Sequence, residues 1–397
     1  MHILLIHNNY GIYTGEEAVV DKQIALFREL GYNVSAYRKT TEGKRGTLGG
    51  NIKGLLQGFY SPSSTEDIKR LIKEDKPDAV VIHNLYPYIS PAVLKPIKRA
   101  GIPIIMTIHN YRLICPTGLF MRNAEPCEHC LKKGNEWSCI RYNCEHSLLK
   151  SVGYAGRNWF ARITKAYKDH VDYFACITKF QIEKLILAGF DPEKMIHIPN
   201  FVDANYNGLD TNECEENNPI CPNSYLAIAG RLSREKGFDL ILEIARQTPE
   251  IEYRFAGTVR PEDADLLQDA PKNCIFEGHL SSGELVSFYK NARFLIMASR
   301  CYEGFPITIL EASCYEKPAI GPNHGGFPEI IDNGSTGLLF TPGSAEDLKE
   351  KIVSLWSDPE KTIEYGKNAY QKLKKNYTME VVRKKWSDLF SSIENSH

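Results

Sequence analysis

Glu303 and Glu311 lie eight residues apart in Glu303-Gly304-Phe305-Pro306-Ile307-Thr308-Ile309-Leu310-Glu311, and Arg231 and Lys236 lie in Gly230-Arg231-Leu232-Ser233-Arg234-Glu235-Lys236-Gly237. Two carboxylates and two cations of this kind are what a site needs to hold both ends of a nucleoside diphosphate-sugar and neutralise its middle. Pro306 suits the first turn of a helix, where its missing N–H is no loss, and Ile307, Ile309, Leu310 and Ala312 supply an apolar face. Glu303 then precedes the helix and Glu311 lies inside it, roughly 12 Å further along the axis. One acid can accept from sugar hydroxyls and the other from ribose hydroxyls. The backbone N–H groups of Gly304 and Phe305 fall at the helix start, where an anionic oxygen is favoured. Taken alone, the two acids also fit a solvated loop and an ordinary helix surface.

The cations give the acids a context. Residues 224–229 read as a short buried strand entering Gly230, and a helix opens at Gly237, so Arg231 and Lys236 occupy a strand-to-helix loop. Ligands bind at that edge of open α/β sheets. A guanidinium grips a phosphate through two donors and a lysine acts as a mobile point charge, so the pair could neutralise a departing diphosphate without a metal.

The elements that must position these groups alternate through both halves. Apolar runs at 3–6, 33–36, 79–82, 104–108 and 173–177 read as strands, with helical periods at 18–30 and 67–74. Further strands are expected at 225–229, 253–256, 274–276, 294–297, 319–321 and 338–340. The alternation predicts α/β architecture with two doubly wound, Rossmann-like parallel sheets facing each other across a cleft. The expected division is 1–203 on the acceptor side, a linker at 204–223 rich in Asn, acid and Pro, a nucleotide-sugar domain at 224–376, and a last helix within 377–397 returning to the first domain. The chain has 397 residues, 43% hydrophobic and 24% charged, enough for two cores. It shows no apolar run of spanning length and no basic leader before its first strand, so a cytoplasmic protein is expected. The net charge of −1 is uneven. Residues 1–200 hold 27 Lys and Arg against 19 Asp and Glu, and the remainder is acidic. A basic first half suits an anionic surface or acceptor, although random dispersal of a modest excess gives the same count.

The ordered motifs Gly230-Arg231…Lys236-Gly237, Phe276-Glu277-Gly278, Glu303-Gly304-Phe305…Glu311-Ala312, Gly325-Gly326-Phe327-Pro328-Glu329 and Gly334-Ser335-Thr336-Gly337-Leu338 resemble the nucleotide half of family-four retaining glycosyltransferases of the GT-B fold. The likeness extends over nearly the whole chain. It implies that the first motif binds the donor diphosphate, that Glu303 and Glu311 bracket sugar and ribose, and that Gly230, Gly278, Gly304, Phe305 and Pro306 line the donor. It also implies transfer with retention, the acceptor hydroxyl attacking from the side of the departing phosphate, with no cofactor required.

In the first half, Tyr13-Thr14-Gly15-Glu16-Glu17 resembles the family loop that approaches the donor phosphates. Gly15 allows close backbone approach, but relatives often carry two glycines where this chain has one, so Glu16 or Glu17 could instead face the acceptor. His109 ends a buried strand at its carboxyl edge; a structural role fits such a position, and the resemblance implies contact with the donor sugar. His83 has similar geometry. The implied acceptor is a saccharide or lipid-linked saccharide of surface-polysaccharide assembly.

Cys115, Cys127, Cys130, Cys139 and Cys144 fall within thirty residues, inside a loop region at 112–146. In a cytosolic chain such clustering points to metal. Cys115, Cys127, Cys130 and Cys144 would form a closed structural zinc site, with Cys139 as alternate; loop filling is the plainer reading. Asp263-Ala264-Asp265 matches a divalent-ion triplet superficially and reads better as the acidic first turn of a helix. Lys39, Lys44, Arg45 and Lys53 near Leu55, Leu56, Phe59 and Tyr60, and Arg157, Arg162, Lys165 and Lys168 among Trp159, Phe160 and Tyr167, could lie peripherally on an anionic bilayer at the inner membrane face. Basic flanks on ordinary surface helices look the same. The rival functions are a nucleotide-sugar epimerase of related build and a non-catalytic sugar-nucleotide-binding protein. A nicotinamide enzyme is disfavoured because no Gly-x-Gly-x-x-Gly follows the first strand, and a nucleic-acid module because the cysteine region has no repeat or basic stripe.

Overall fold

The computed structural model of the chain describes residues 1–10, 15–41, 48–202 and 224–395. Tyr13 and Thr14, Lys44 and Arg45, the side chain of Lys53, and the expected linker at 204–223 lie outside the described residues. The chain divides into two units, one comprising Met1–Phe120, Glu128–Pro199 and Arg383–His397, the other Met121–Cys127 and Asn200–Val382.

In the first unit lie β1 (His2–Asn9), β2 (Asn33–Thr40), β3 (Ala79–Ile82) and β4 (Ile104–Ile108). A two-stranded antiparallel ribbon follows, β5 (Met121–Arg122) with β6 (Glu125–Pro126), grouped with the second unit. The first unit continues with β7 (Tyr173–Cys176) and β8 (Met195–His197). Its sheet runs β2-β1-β3-β4-β7-β8, every neighbouring pair parallel. Residues of β3 and β4 are buried throughout, as expected of strands whose two faces are both covered. The order reverses at β1, which has β2 on one side and β3 on the other. Such a reversal splays the following loops apart and leaves a crevice at the carboxyl edge.

The same unit is completed by late sequence. Trp386 and Phe390, on the helix Met379–Glu394, stack edge-on against Phe27 at 5.0 and 5.1 Å between centroids, and Arg383 pairs with Glu29. Phe27, Trp386 and Phe390 are all buried.

The second unit contains β9 (Tyr225–Ala229), β10 (Tyr253–Ala256), β11 (Cys274–Gly278), β12 (Ala292–Ile296), β13 (Ala319–Pro322) and β14 (Gly337–Phe340) in the order β11-β10-β9-β12-β13-β14, again all parallel. Its reversal lies at β9, flanked by β10 and β12. Two glycines permit close approaches there. A Cβ on Gly257, at φ +150°, would stand 1.8 Å from the carbonyl oxygen of Gly230; one on Gly237, at φ +73°, would stand 2.1 Å from that of Ala298. The loop after β9 is thereby pressed against the loop after β12.

The region after Cys115 has more regular structure than its sequence suggests. Besides the β5–β6 ribbon it forms short helices at His129–Lys133 and Trp137–Arg141, the first closed by Gly134 at φ +62°, whose N–H bonds Leu131 O at 3.0 Å. Asp263 and Asp265 lie on a 3-10 segment, Pro261–Leu267, and both accept from Arg234, at 2.9 and 2.5 Å. They serve that arginine.

Candidate active site

In the second unit, β9 delivers Gly230 and Arg231, the 3-10 turn Arg234–Lys236 delivers Glu235 and Lys236, and β12 leads into Ser299 and Glu303. The two loops are cross-linked: Arg300 N–H donates to Glu235 O at 3.0 Å and the Arg300 guanidinium to Arg234 O at 2.8 Å and to Asp239 at 2.6 and 2.9 Å. Lys236 then meets Glu303 in an ion pair, and Ser299 Oγ donates to the same Glu303 oxygen at 2.7 Å. Burial works against charge on both. The mutual attraction outweighs it, holding Glu303 below the usual carboxylate value and Lys236 above the usual ammonium value.

Arg231 joins through Glu235, a residue to which the sequence reading assigned no role. The carboxylate of Glu235 is buried and accepts from Arg231 at 3.3 Å and Arg260 at 3.1 Å, with Lys236 at 3.9 Å. One acid thus orients three cations, while the Arg231 side chain remains 49% exposed. The signal was available: Glu235 stands four residues after Arg231 and next to Lys236.

The other expected donor groups are placed as follows. Pro306 occupies the N-cap of the helix Ile307–Ser313, one position before the first turn, with ψ of 91°. Gly304 and Phe305 precede it, and Phe305 is buried against Tyr377 at 5.5 Å. Glu311 lies within the helix and accepts from Tyr289 Oη at 3.0 Å. Gly278, at φ +72°, ends β11, and its carbonyl accepts from Gly257 N–H at 2.7 Å. Gly325 packs so tightly on the 302–303 backbone that a Cβ would lie 3.1 Å from it, and Gly326 N–H donates to Glu303 O at 3.0 Å. The glycine pair therefore fixes the backbone of Glu303.

At the carboxyl edge of the first sheet, β1, β3 and β4 carry His7, His83 and His109. His83 Nδ1 and His109 Nε2 are 2.7 Å apart and their rings stack at 5.0 Å, so one nitrogen carries the shared proton. The His7 ring stands edge-on to His83 at 6.0 Å, with both its nitrogens buried and unpartnered, as is His83 Nε2. Burial lowers all three: His7 to about 4, His109 to about 3 with help from His7, and His83 well below its ordinary value. His7 was not singled out because it sits inside an apolar run that reads as plain strand.

Gly15 opens the helix Gly15–Glu29, and a Cβ there would meet nothing within 4 Å. Glu17 is buried, accepting from Tyr10 N–H at 2.7 Å. Glu16 accepts from Tyr10 Oη at 3.2 Å, and Arg112 donates to that hydroxyl at 2.8 Å. Burial pushes Glu16 up to about 7 despite Arg112. Both acids face inward.

The structure does not confirm the zinc expectation. Among the described residues no group of three or more His, Cys, Asp or Glu side chains is disposed to hold a metal ion. Cys115 is buried in a turn beside Thr117 at 3.3 Å; Cys139 is buried next to Cys144, which together with burial holds its thiol protonated; Cys127 ends the ribbon segment.

Comparison with known proteins supports the same architecture. A model described as "Glycosyltransferase Family 4" matches residues 14–206 and one described as "Glycosyl transferases group 1" matches 214–372. The lipopolysaccharide outer core galactosyltransferase WaaB, in its apo form, superposes with a TM-score of 0.68 at 18% identity, covering 99% of this chain and 100% of that one. The chain has the GT-B fold. The Anabaena protein Alr3699/HepE, in complex with UDP-glucose, superposes at 0.65 with 15% identity over 99% and 100% of the two chains. In sequence, the alpha-galactosylglucosyldiacylglycerol synthase of Streptococcus pneumoniae is 24% identical over 242 residues, 58% of this chain and 63% of that protein. The match thus spans less than two thirds of that relative. Among the described residues no helix is long and apolar enough to cross a membrane.

Proposed function

We propose that this protein transfers a sugar, with retention at the anomeric carbon and without a catalytic metal, from a nucleoside diphosphate-sugar to a hydroxyl of a saccharide or lipid-linked saccharide. The observation that carries the reading is the coupled set Arg231–Glu235 and Lys236–Glu303 at the strand-order reversal of the second sheet. Rupture of the anomeric bond loads charge on the leaving diphosphate, so cations poised there stabilise the transition state more than the ground state. Lys236 is held charged by Glu303 until a phosphate arrives. Glu303, released from Lys236, is then free to accept from sugar hydroxyls, and Glu311 with Tyr289 offers a second polar station for the ribose. His109, neutral and oriented by His83, serves as a hydrogen-bonding group for the sugar. The leaving phosphate oxygen takes the acceptor's proton, so no protein nucleophile is needed.

The names of similar proteins, a lipid glycosyl synthase and a lipopolysaccharide transferase, support an acceptor at a membrane surface. So do Leu148, Leu149 and Val152, exposed on the helix Leu148–Ile163 beside Lys150. The membrane face differs in detail from the sequence expectation. Arg157 turns inward over the Tyr86 ring at 3.9 Å, and Tyr167 is buried with its hydroxyl 3.0 Å from that of Tyr86. The deciding experiment incubates the protein with a panel of nucleotide-sugars, with and without saccharide and lipid-linked acceptors. Acceptor-dependent release of nucleoside diphosphate is expected; conversion of the donor to an epimer, or no turnover of any donor, refutes the proposal.

A further inference from the structure

A cavity of about 140 Å³ opens in the first unit, about tenfold what one water molecule requires. It shares Tyr86, Arg112, Leu113 and Tyr167 with the smaller cavity at His83 and His109, so the two are neighbours. One wall is apolar, made by Leu113, Leu187 and Phe190. Arg162, Lys165 and Lys168 also line the cavity, Lys168 in contact with that apolar wall.

The charges do not cancel. The one carboxylate lining the cavity, Glu136, is held by Arg162 through two bonds of 3.0 and 3.1 Å. Arg112 is engaged by Tyr10 at 2.8 Å, next to Glu16. Lys165 pairs with no acid among the described residues, and Lys168 spends its ammonium on the carbonyl of Ala188 at 2.9 Å and the Phe190 ring at 4.9 Å. Crowding by Arg162 and Lys165, added to burial, lowers the Lys168 ammonium. A surplus of positive charge beside apolar side chains in one cavity fits a ligand that is anionic at one end and apolar at the other. Leu187, which lines the cavity, is 69% exposed, and Ile163, the residue after Arg162 in sequence, is 49% exposed, so apolar side chains are exposed at or next to its lining residues. The short helix that closes this wall belongs to the cysteine-rich region, which gives that region a role needing no metal: Cys130, Leu131 and Gly134 line the cavity.

We propose that this cavity binds the phosphate of a lipid-linked acceptor, the phosphate against Lys165, Lys168 and Arg162 and the chain leaving over Leu187 and Ile163. Its role as an acceptor anchor rests on the glycosyltransferase reading above; its chemistry as a site for an alkyl phosphate does not. A phosphate held there places whatever sugar it carries toward the neighbouring His109.

The test is calorimetric titration of the full chain with decyl phosphate below its micelle concentration, with inorganic phosphate and decanol as separate arms. Decyl phosphate is expected to bind at least about tenfold more tightly than either. Lys165→Glu with Leu187→Glu, both at exposed positions, should weaken it at least about tenfold and leave UDP binding unchanged. Equal binding of inorganic phosphate and decyl phosphate, equal binding of decanol, or wild-type binding by the double variant each overturns the proposal. Decyl phosphate binding that persists in Lys236→Met supports it independently of catalysis. A protein that turns over no nucleotide-sugar removes the acceptor role while the titration still decides the site.

Discussion

Replacing Lys236 by Met keeps the length of the side chain and removes its charge. The Lys236 and Glu303 side chains are 24% and 16% exposed, between the fully buried pairs whose disruption costs about 3–5 kcal/mol and the exposed pairs worth about 0–1. A stability loss of about 2 kcal/mol follows. The rate should suffer separately. If Lys236 stabilises the departing diphosphate as one preorganised donor, its loss removes about 2–4 kcal/mol from the transition state, or about 30- to 900-fold in kcat/KM. Glu303, deprived of the cation that outweighs its burial, rises above its ordinary value and holds its proton to higher pH. Wild-type Glu303, by contrast, contributes stability that is present above its unfolded value and lost as pH falls through its lower folded one. Urea unfolding reads the first effect and donor-consumption kinetics the second. Adding Glu303→Gln to the variant should restore stability, because the uncompensated carboxylate is gone, without restoring the rate. A folded Lys236→Met protein within about threefold of wild-type activity refutes the assignment of Lys236 to the leaving group.

Four further outcomes are expected. Glu235→Gln frees Arg231 and should raise the donor KM about tenfold, the loss of one charge-assisted bond; an unchanged KM means that Arg231 is oriented by something else. Trp386→Ala should cost about 3–5 kcal/mol in urea unfolding, and a loss below about 1 kcal/mol refutes its place in the first core. His7, His83 and His109 are lowered in the folded chain, so the stability they contribute is whole above pH 6.5 and is lost as pH falls toward about 4 for His7 and about 3 for His109. His7→Gln should flatten that decline by up to about 3 kcal/mol, and an identical pH profile refutes it. Metal analysis of protein purified under reducing conditions should find no stoichiometric zinc, and chelators should leave Tm unchanged.

Most strands were legible because the central strands of doubly wound sheets are apolar along their whole length. The half-exposed β2 pairs four residues beyond its apolar start at 33–36, and β8 was not expected, because its three residues are only partly buried. The donor-side cluster was legible for a related reason: glycines flank the loop after β9, and Gly237 is required where that loop touches Ala298. What spacing cannot show is which distant loops are brought together. Lys236 and Glu303 are 67 residues apart, and only the strand order makes them neighbours. Glu235 and His7 escaped because each looks ordinary in its local context, a charged residue in a charged loop and a histidine inside a strand. The cysteines misled for the converse reason. Thiol spacing suggests a ligand set, and Cys139 does lie beside Cys144 and within electrostatic reach of Cys130 and Cys115, but among the described residues no three such side chains are disposed to hold a metal ion.

The contact of Phe27 with Trp386 and Phe390 bears on how the polypeptide acquires its shape during translation. A ribosome will have made every residue of the second unit before it supplies the aromatic pair that seals the first. The amino-terminal sheet therefore waits, with Phe27 uncovered, through the synthesis of its partner unit, and a nonsense codon near position 380 would damage the end of the protein farthest from it in sequence.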